Sequence, residues 1–77
     1  MSIKTLFFAS LREQVGNSSL QTDWQAGMTA SQVWQAATGQ ATLPDNVLVA
    51  CNQAYCAADT LVQDGDEVAF FPPVTGG

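Results

Sequence analysis

The chain has 77 residues, 47% of them hydrophobic, and a formal charge of -5, with Lys4 and Arg12 as its only basic side chains and no histidine. That balance excludes the clustered basic surface that nucleic acid or an anionic membrane requires. No apolar run approaches the roughly 18 residues that span a bilayer, and two cysteines without histidine exclude a four-ligand Cys/His zinc site built from this chain alone.

The length predicts one domain, near the lower size at which an unstapled core holds. The start, Met1-Ser2-Ile3-Lys4-Thr5, lacks the basic region and apolar core of a secretory signal, so a cytoplasmic chain with free thiols at Cys51 and Cys56 is expected. The acidity fits a basic partner surface and fits simple solubility equally well.

Residues 3 to 8 are β-prone and free of Gly and Pro, which predicts a first strand. Its alternation separates Ile3, Thr5 and Phe7 from Lys4, Leu6 and Phe8, and the reading places Leu6 and Phe8 inward, with Phe7 outward. Ser10 to Val15 reads as a short helix, with Ser10 as N-cap, Glu13 at the capping-box position and Gly16 as the stop. Arg12 on it is either a surface charge or a partner contact.

Leu20, Thr22 and Trp24 alternate with polar residues as in a half-buried strand paired with the first. Thr29-Ala30-Ser31-Gln32 is a capping box, with Met28 and Val33 placed to form a hydrophobic staple. The apolar stripe Ala30, Val33, Trp34, Ala37 then predicts a helix closed by Gly39. Val47 to Cys51 is the strongest apolar strand and reads as the central one of the sheet. Asn52-Gln53 turns the chain into a short segment, Ala54-Tyr55-Cys56-Ala57. After the Asp64-Gly65 turn comes a last strand, Glu67 to Phe71, with Val68 and Phe70 on one face and Ala69 and Phe71 on the other.

With one main helix, the economical arrangement packs it across a single mixed sheet in two layers, an α+β architecture. The first two strands form a hairpin, and the last lies parallel beside the first after a crossover that includes the helix. This predicts a domain over residues 1–71, followed by a tail over residues 72–77. Pro72 and Pro73 have fixed φ and no amide donor, so they take the chain out of the sheet as an extended arm. Six residues at about 3.3 Å each reach about 20 Å, and Gly76 and Gly77 have no side chain to obstruct a narrow channel. The group such an arm offers is the carboxylate of Gly77.

A diglycine ending after a Pro-stiffened exit from a strand resembles the sulfur-carrier and ubiquitin-like families. The run DGDEVAFFPPVTGG resembles the end of the molybdopterin synthase small-subunit family (MoaD), and Phe8-Ala9-Ser10-Leu11-Arg12-Glu13-Gln14-Val15-Gly16 resembles that family's F-A-x-x-R-E-x-x-G. Asn52-Gln53 fits its mid-chain turn, while residues 17 to 46 agree in pattern more than in identity. The resemblance implies a β-grasp, ubiquitin-like fold. It also implies that Gly77 is adenylated by an E1-like (MoeB-like) enzyme using ATP and receives sulfur with the help of a sulfurtransferase. The resulting thiocarboxylate would enter a MoaE-like large subunit and give its sulfur to cyclic pyranopterin monophosphate on the way to molybdenum cofactor. Pro72, Pro73, Val74, Thr75 and Gly76 would then thread the partner's channel.

No metal site and no cofactor bound by the chain itself are expected, and without a histidine base, a Ser-His-Asp set or a phosphate-binding loop the domain is not expected to catalyse alone. Three other readings stand beside this one: a ThiS-type carrier for thiazole synthesis, a ubiquitin-like protein modifier and an inert β-grasp module. Cys51 and Cys56 read as buried packing thiols or, in a rival chemistry, as persulfide carriers. Phe7 and Phe71, if both outward, would form an apolar patch that contacts the large subunit.

Overall fold

The structure, a computed structural model, describes residues 1–72. Its elements in chain order are β1 (Ser2–Phe7), α1 (Ser10–Val15), β2 (Ser19–Asp23), α2 (Ala30–Thr38), β3 (Leu48–Cys51), β4 (Ala54–Cys56) and β5 (Glu67–Phe71). Five strands make one sheet in the order β2-β1-β5-β3-β4. β1 and β5 are parallel, and the other pairs are antiparallel. This is the expected mixed β-grasp sheet, but its middle strand is the terminal β5 rather than the strongly apolar Val47–Cys51 run, which lies between β5 and edge strand β4. Among the described residues no helix is long and apolar enough to cross a membrane.

Helix α2 begins as its sequence dictates. Thr29 Oγ1 accepts the Gln32 backbone N–H at 3.3 Å, and Gln32 Oε1 accepts that of Thr29 at 2.8 Å, so two orphan amides of the first turn are paired. Met28 and Val33, flanking this cap, are both buried, and Gly39 ends the helix in the left-handed conformation at φ 77. The helix lays Trp34 across the sheet. Its ring meets Phe7 edge-on at 6.1 Å and Phe70 at 5.1 Å, while Phe7 and Phe70 stack at 5.8 Å. Ile3, Val49, Val62 and Val68 close the same core.

The faces of β1 are the reverse of those expected. Phe7 is 1% exposed and Phe8 41%, so Phe7 belongs to the core and has no outer surface to offer a partner. The physical reason is register: β1 runs parallel to β5 with Phe7 opposite Phe70 and Thr5 opposite Val68. Residues opposite one another share a face, so the inward Val68 and Phe70 draw Thr5 and Phe7 inward with them. Lys4 then points out, with Nζ 4.0 Å from a carboxylate oxygen of Glu67.

Buried Thr5 is accommodated by a partner on the neighbouring strand, since its hydroxyl and that of Thr22 lie 2.7 Å apart. Replacing Thr5 by Val strands the Thr22 hydroxyl in the core, at a cost of about 1–3 kcal/mol. Thr22→Val leaves the Thr5 hydroxyl only its long bond to the Ile3 carbonyl at 3.4 Å, and replacing both removes the unmet demand. Urea unfolding of Thr5→Val, Thr22→Val and the double variant should show the double losing less than the sum of the singles. Strictly additive losses would show that the two hydroxyls do not act as a pair.

The start of α1 also differs from expectation. Its N-cap is Ala9, with no side-chain cap, and Ser10 is already the first helical residue. The helix starts one residue early because Phe8 N–H still bonds to Phe70 O at 3.2 Å, after which Ala9 turns sharply at φ 52, ψ -129 and its carbonyl accepts Arg12 N–H at 3.1 Å. Such a conformation is uncommon for a residue with a Cβ.

Candidate functional site

Both helices pack on the core side through Leu11, Ala30, Val33 and Trp34, so among the described residues no helix covers the opposite face of the sheet. Its composition is set by the register. Leu6 lies opposite Ala69, Ala69 opposite Ala50, and Ala50 opposite Tyr55, which makes one apolar row across β1, β5, β3 and β4. One step further along, Phe71 lies opposite Leu48, and Phe8 stacks on Phe71 with ring centroids 4.8 Å apart and planes within 5°. Tyr55 approaches Phe71 from the other side at 6.2 Å, tilted by 59°.

Small residues in the middle and aromatics at the rim produce a shallow depression of about 340 Å³ bordered by Phe8, Tyr55 and Phe71. Tyr55 is 75% exposed and Leu48 38%. Several large apolar groups gathered on one uncovered sheet face are the composition of an interface rather than of ordinary monomer surface.

Beside this face the Asn52-Gln53 turn is held in an unusual backbone shape, with φ 51 and 71. Positive φ at both central residues matches the twist of a two-residue hairpin. Asn52 secures it by joining the turn to the start of β5: its Oδ1 accepts Glu67 N–H at 3.0 Å, its Nδ2 donates to Asp66 Oδ1 at 3.1 Å, and its own N–H donates to Glu67 O at 2.7 Å. The Asn therefore fixes the position of β4, and with it Tyr55, relative to the central strand.

Of the residues expected to meet a partner, Phe71 lies on this face, half-buried beneath Phe8 and Tyr55. Arg12 is exposed on α1, the helix that follows Phe8 and Ala9. Phe7 is absent from the surface, and Phe8 holds the place expected for it. Pro72 follows β5 and borders a second shallow cleft of about 300 Å³ with Leu11, Trp34, Pro44 and Val47. Pro73, Val74, Thr75, Gly76 and Gly77 lie outside the described residues.

Phe8, Tyr55 and Leu48 were not anticipated as surface contacts. A signal for Phe8 was present in the sequence, since placing Leu6 and Phe8 inward would also have placed Lys4 inward, and a buried ammonium without a partner is strongly disfavoured.

The ThiS family matches residues 5–77 of this chain. The molybdopterin synthase sulfur carrier subunit of Escherichia coli (strain K12) is 41% identical over 80 residues, covering 97% of this chain and 99% of that protein. The protein of the same name from Haemophilus influenzae is 40% identical with the same coverage. Among solved structures, SAMP1 from Haloferax volcanii superposes with a TM-score of 0.85 at 28% identity, covering 100% of both chains. A chain from a protein–protein complex of subunits 1 and 2 of the molybdopterin-converting factor of Helicobacter pylori shares the fold, with a TM-score of 0.62, 20% identity and 100% coverage of both chains. By the family match over residues 5–77 and the full-length relatives at 40–41% identity, the chain belongs to the ThiS family and, within it, to the molybdopterin synthase sulfur carrier subunits.

Proposed function

We propose that this chain carries sulfur on its Gly77 carboxylate and docks its aromatic outer face on the large subunit of a molybdopterin synthase. An E1-like partner adenylates the carboxylate with ATP. Carboxylate oxygen is a poor leaving group; adenylation releases pyrophosphate and installs AMP, which a sulfurtransferase persulfide displaces to give an acyl disulfide. A second thiol cleaves that acyl disulfide to the thiocarboxylate, the thiol pair leaving as a disulfide. The thiocarboxylate formed has a polarizable, nucleophilic sulfur, and one difficult transfer becomes several easier ones. The large subunit supplies the acid–base groups and the pocket for cyclic pyranopterin monophosphate. The carrier contributes the sulfur and the means of positioning it.

The observation that carries this reading is the placement of β5. It is flanked by β1 and β3, and it ends at Phe71 on the Phe8–Phe71–Tyr55 face, so a partner that grips those rings stands beside the last strand residue, six positions before Gly77 in the sequence. Anchor and reactive end are contiguous in the chain. The Helicobacter pylori chain that shares this fold occurs in a complex with subunit 2, which agrees with a heteromeric assembly. The test is intact-mass analysis of the full chain after incubation with ATP, an activating enzyme and a sulfur donor, with fragmentation to place the sulfur. A gain equal to replacement of one oxygen by sulfur at Gly77 is expected; sulfur found on a cysteine instead would reject the reading.

The docking half has its own test. Truncating an aromatic anchor in an interface costs about 2 kcal/mol or more, a roughly thirtyfold loss of affinity. Phe71→Ala should weaken association with the large subunit by that order in calorimetric titration, and Phe8→Ala should act in the same direction because the two rings stack. Unchanged affinity in both variants would remove this face from the interface.

Likeness to an archaeal modifier protein at 28% identity over the whole chain favours a second use of the same carboxylate, attachment to a lysine of another protein. Isopeptide-linked adducts of Gly77 in cells would establish that use, and it requires the same adenylation step.

A further inference from the structure

We propose that Cys51 and Cys56 form a redox site that closes to an intrachain disulfide in the presence of a low-molecular-weight disulfide, tying edge strand β4 to β3. The two residues are brought together by the hairpin. In the β3–β4 register Cys51 lies opposite Ala54 and Val49 opposite Cys56, so the cysteines occupy diagonal positions on one face of the ribbon. Strand twist shortens one of the two diagonals of such a ribbon, and here the two Sγ atoms stand 2.8 Å apart. A disulfide bond is about 2.05 Å long, so closure asks for a displacement of under about 1 Å, which is within the reach of χ1 adjustments.

Three further features suit the site to reversible oxidation. Both thiols are free, and the two residues are only partly buried where they pack against the margin of the core. Among the described residues β4 is an edge strand paired with β3 alone, so it can shift without breaking the β1–β5 or β3–β5 pairing. The turn between the cysteines is already held in its hairpin shape by Asn52, so closure demands little further ordering of the chain.

With glutathione disulfide as the oxidant the step balances. The Cys56 thiolate attacks one sulfur, the S–S bond breaks, and one glutathione leaves as a thiolate that takes up a proton. Cys51 then loses its proton to solvent and attacks the Cys56 sulfur, expelling the second glutathione thiolate. Two protein thiols are oxidised by two electrons, and one glutathione disulfide is reduced to two thiols. Burial, followed by the hydrogen bond and charge of Cys56 and by Asp66, pushes the Cys51 thiol up to about 12, which makes Cys51 a poor first nucleophile. Capping Cys56 removes its contribution to that rise and eases the second step.

The full-length chain is incubated with glutathione disulfide, quenched in acid and measured by intact mass, non-reducing peptide mapping and amide hydrogen exchange. The expected product is a monomer lighter by two hydrogens, with a Cys51–Cys56 cross-link reversed by dithiothreitol and slower exchange at the β4 amides than in the reduced form. Accumulation of adducts carrying two glutathiones, of disulfide-linked dimers, or of unreacted dithiol under conditions that oxidise a reference vicinal dithiol would each overturn the proposal.

Discussion

Deleting Gly77, or adding a residue after it, is expected to abolish sulfur loading and transfer while leaving the unfolding curve of the domain unchanged. Extension converts the Gly77 carboxylate to an amide, which offers no oxygen for adenylation. Deletion leaves a carboxylate on Gly76, but one residue short, withdrawn by about 3.3 Å from where the partner's reacting groups wait. Displacements of about 1 Å are enough to reduce an oriented reaction by about two orders of magnitude. Gly76→Ala should act in the same direction less completely, by placing a Cβ in the channel that admits the tail. The fold should not respond, because the core cluster lies between Ile3 and Phe70. Loading is read by intact mass and stability by urea unfolding on the same preparation; normal loading of the deleted chain would reject Gly77 as the acceptor.

Phe70→Ala and Phe7→Ala should each come close to unfolding the domain. Both rings are buried, stacked on one another and capped by Trp34. Truncation of a buried Phe costs about 3–5 kcal/mol, from lost transfer free energy and from the cavity that remains. A 77-residue domain has a total stability of the order of 4–12 kcal/mol, so either change removes a large share. Phe8→Ala, one residue away on the opposite face, should change stability by about 1 kcal/mol or less, because its ring is 41% exposed and touches Phe71 rather than the core. Circular dichroism with denaturant titration separates the two classes. A Phe8 variant less stable than the Phe7 variant would mean that β1 presents its other face to the helices.

That contrast marks where local sequence stops being sufficient. Helix α2 was legible in full, because a capping box, a staple and an apolar stripe are interactions among residues within four positions of one another, and a C-terminal glycine needs only its own missing Cβ. The strand spans and the parallel return of β5 beside β1 were legible as well, since β-prone runs, turn residues and the handedness of crossovers leave few topologies open.

The faces of β1 were decided elsewhere. Phe7 and Phe8 are equivalent to any pattern confined to residues 3 to 8, and the choice between them is made by β5, about 60 positions away, through the pairing of Phe7 with Phe70. Thr5 was a poor candidate for the core until Thr22 on β2 supplied its hydrogen bond. The aromatic face is likewise a product of register: Phe8 directly follows β1, Phe71 ends β5 and Tyr55 lies in β4, and no segment contains more than one of them. The two cysteines, five residues apart, become neighbours only when Asn52 and Gln53 take the positive φ that folds β4 back on β3. The sequence by itself determined the elements, the β1–β2 hairpin, the parallel return of β5 beside β1 and the chemistry expected of the Gly-Gly ending, because these depend on short-range geometry, crossover handedness and residue type. Only the tertiary structure decided which side chains share a surface, because strand register is a relation between distant segments, and a shift of one residue exchanges core for interface.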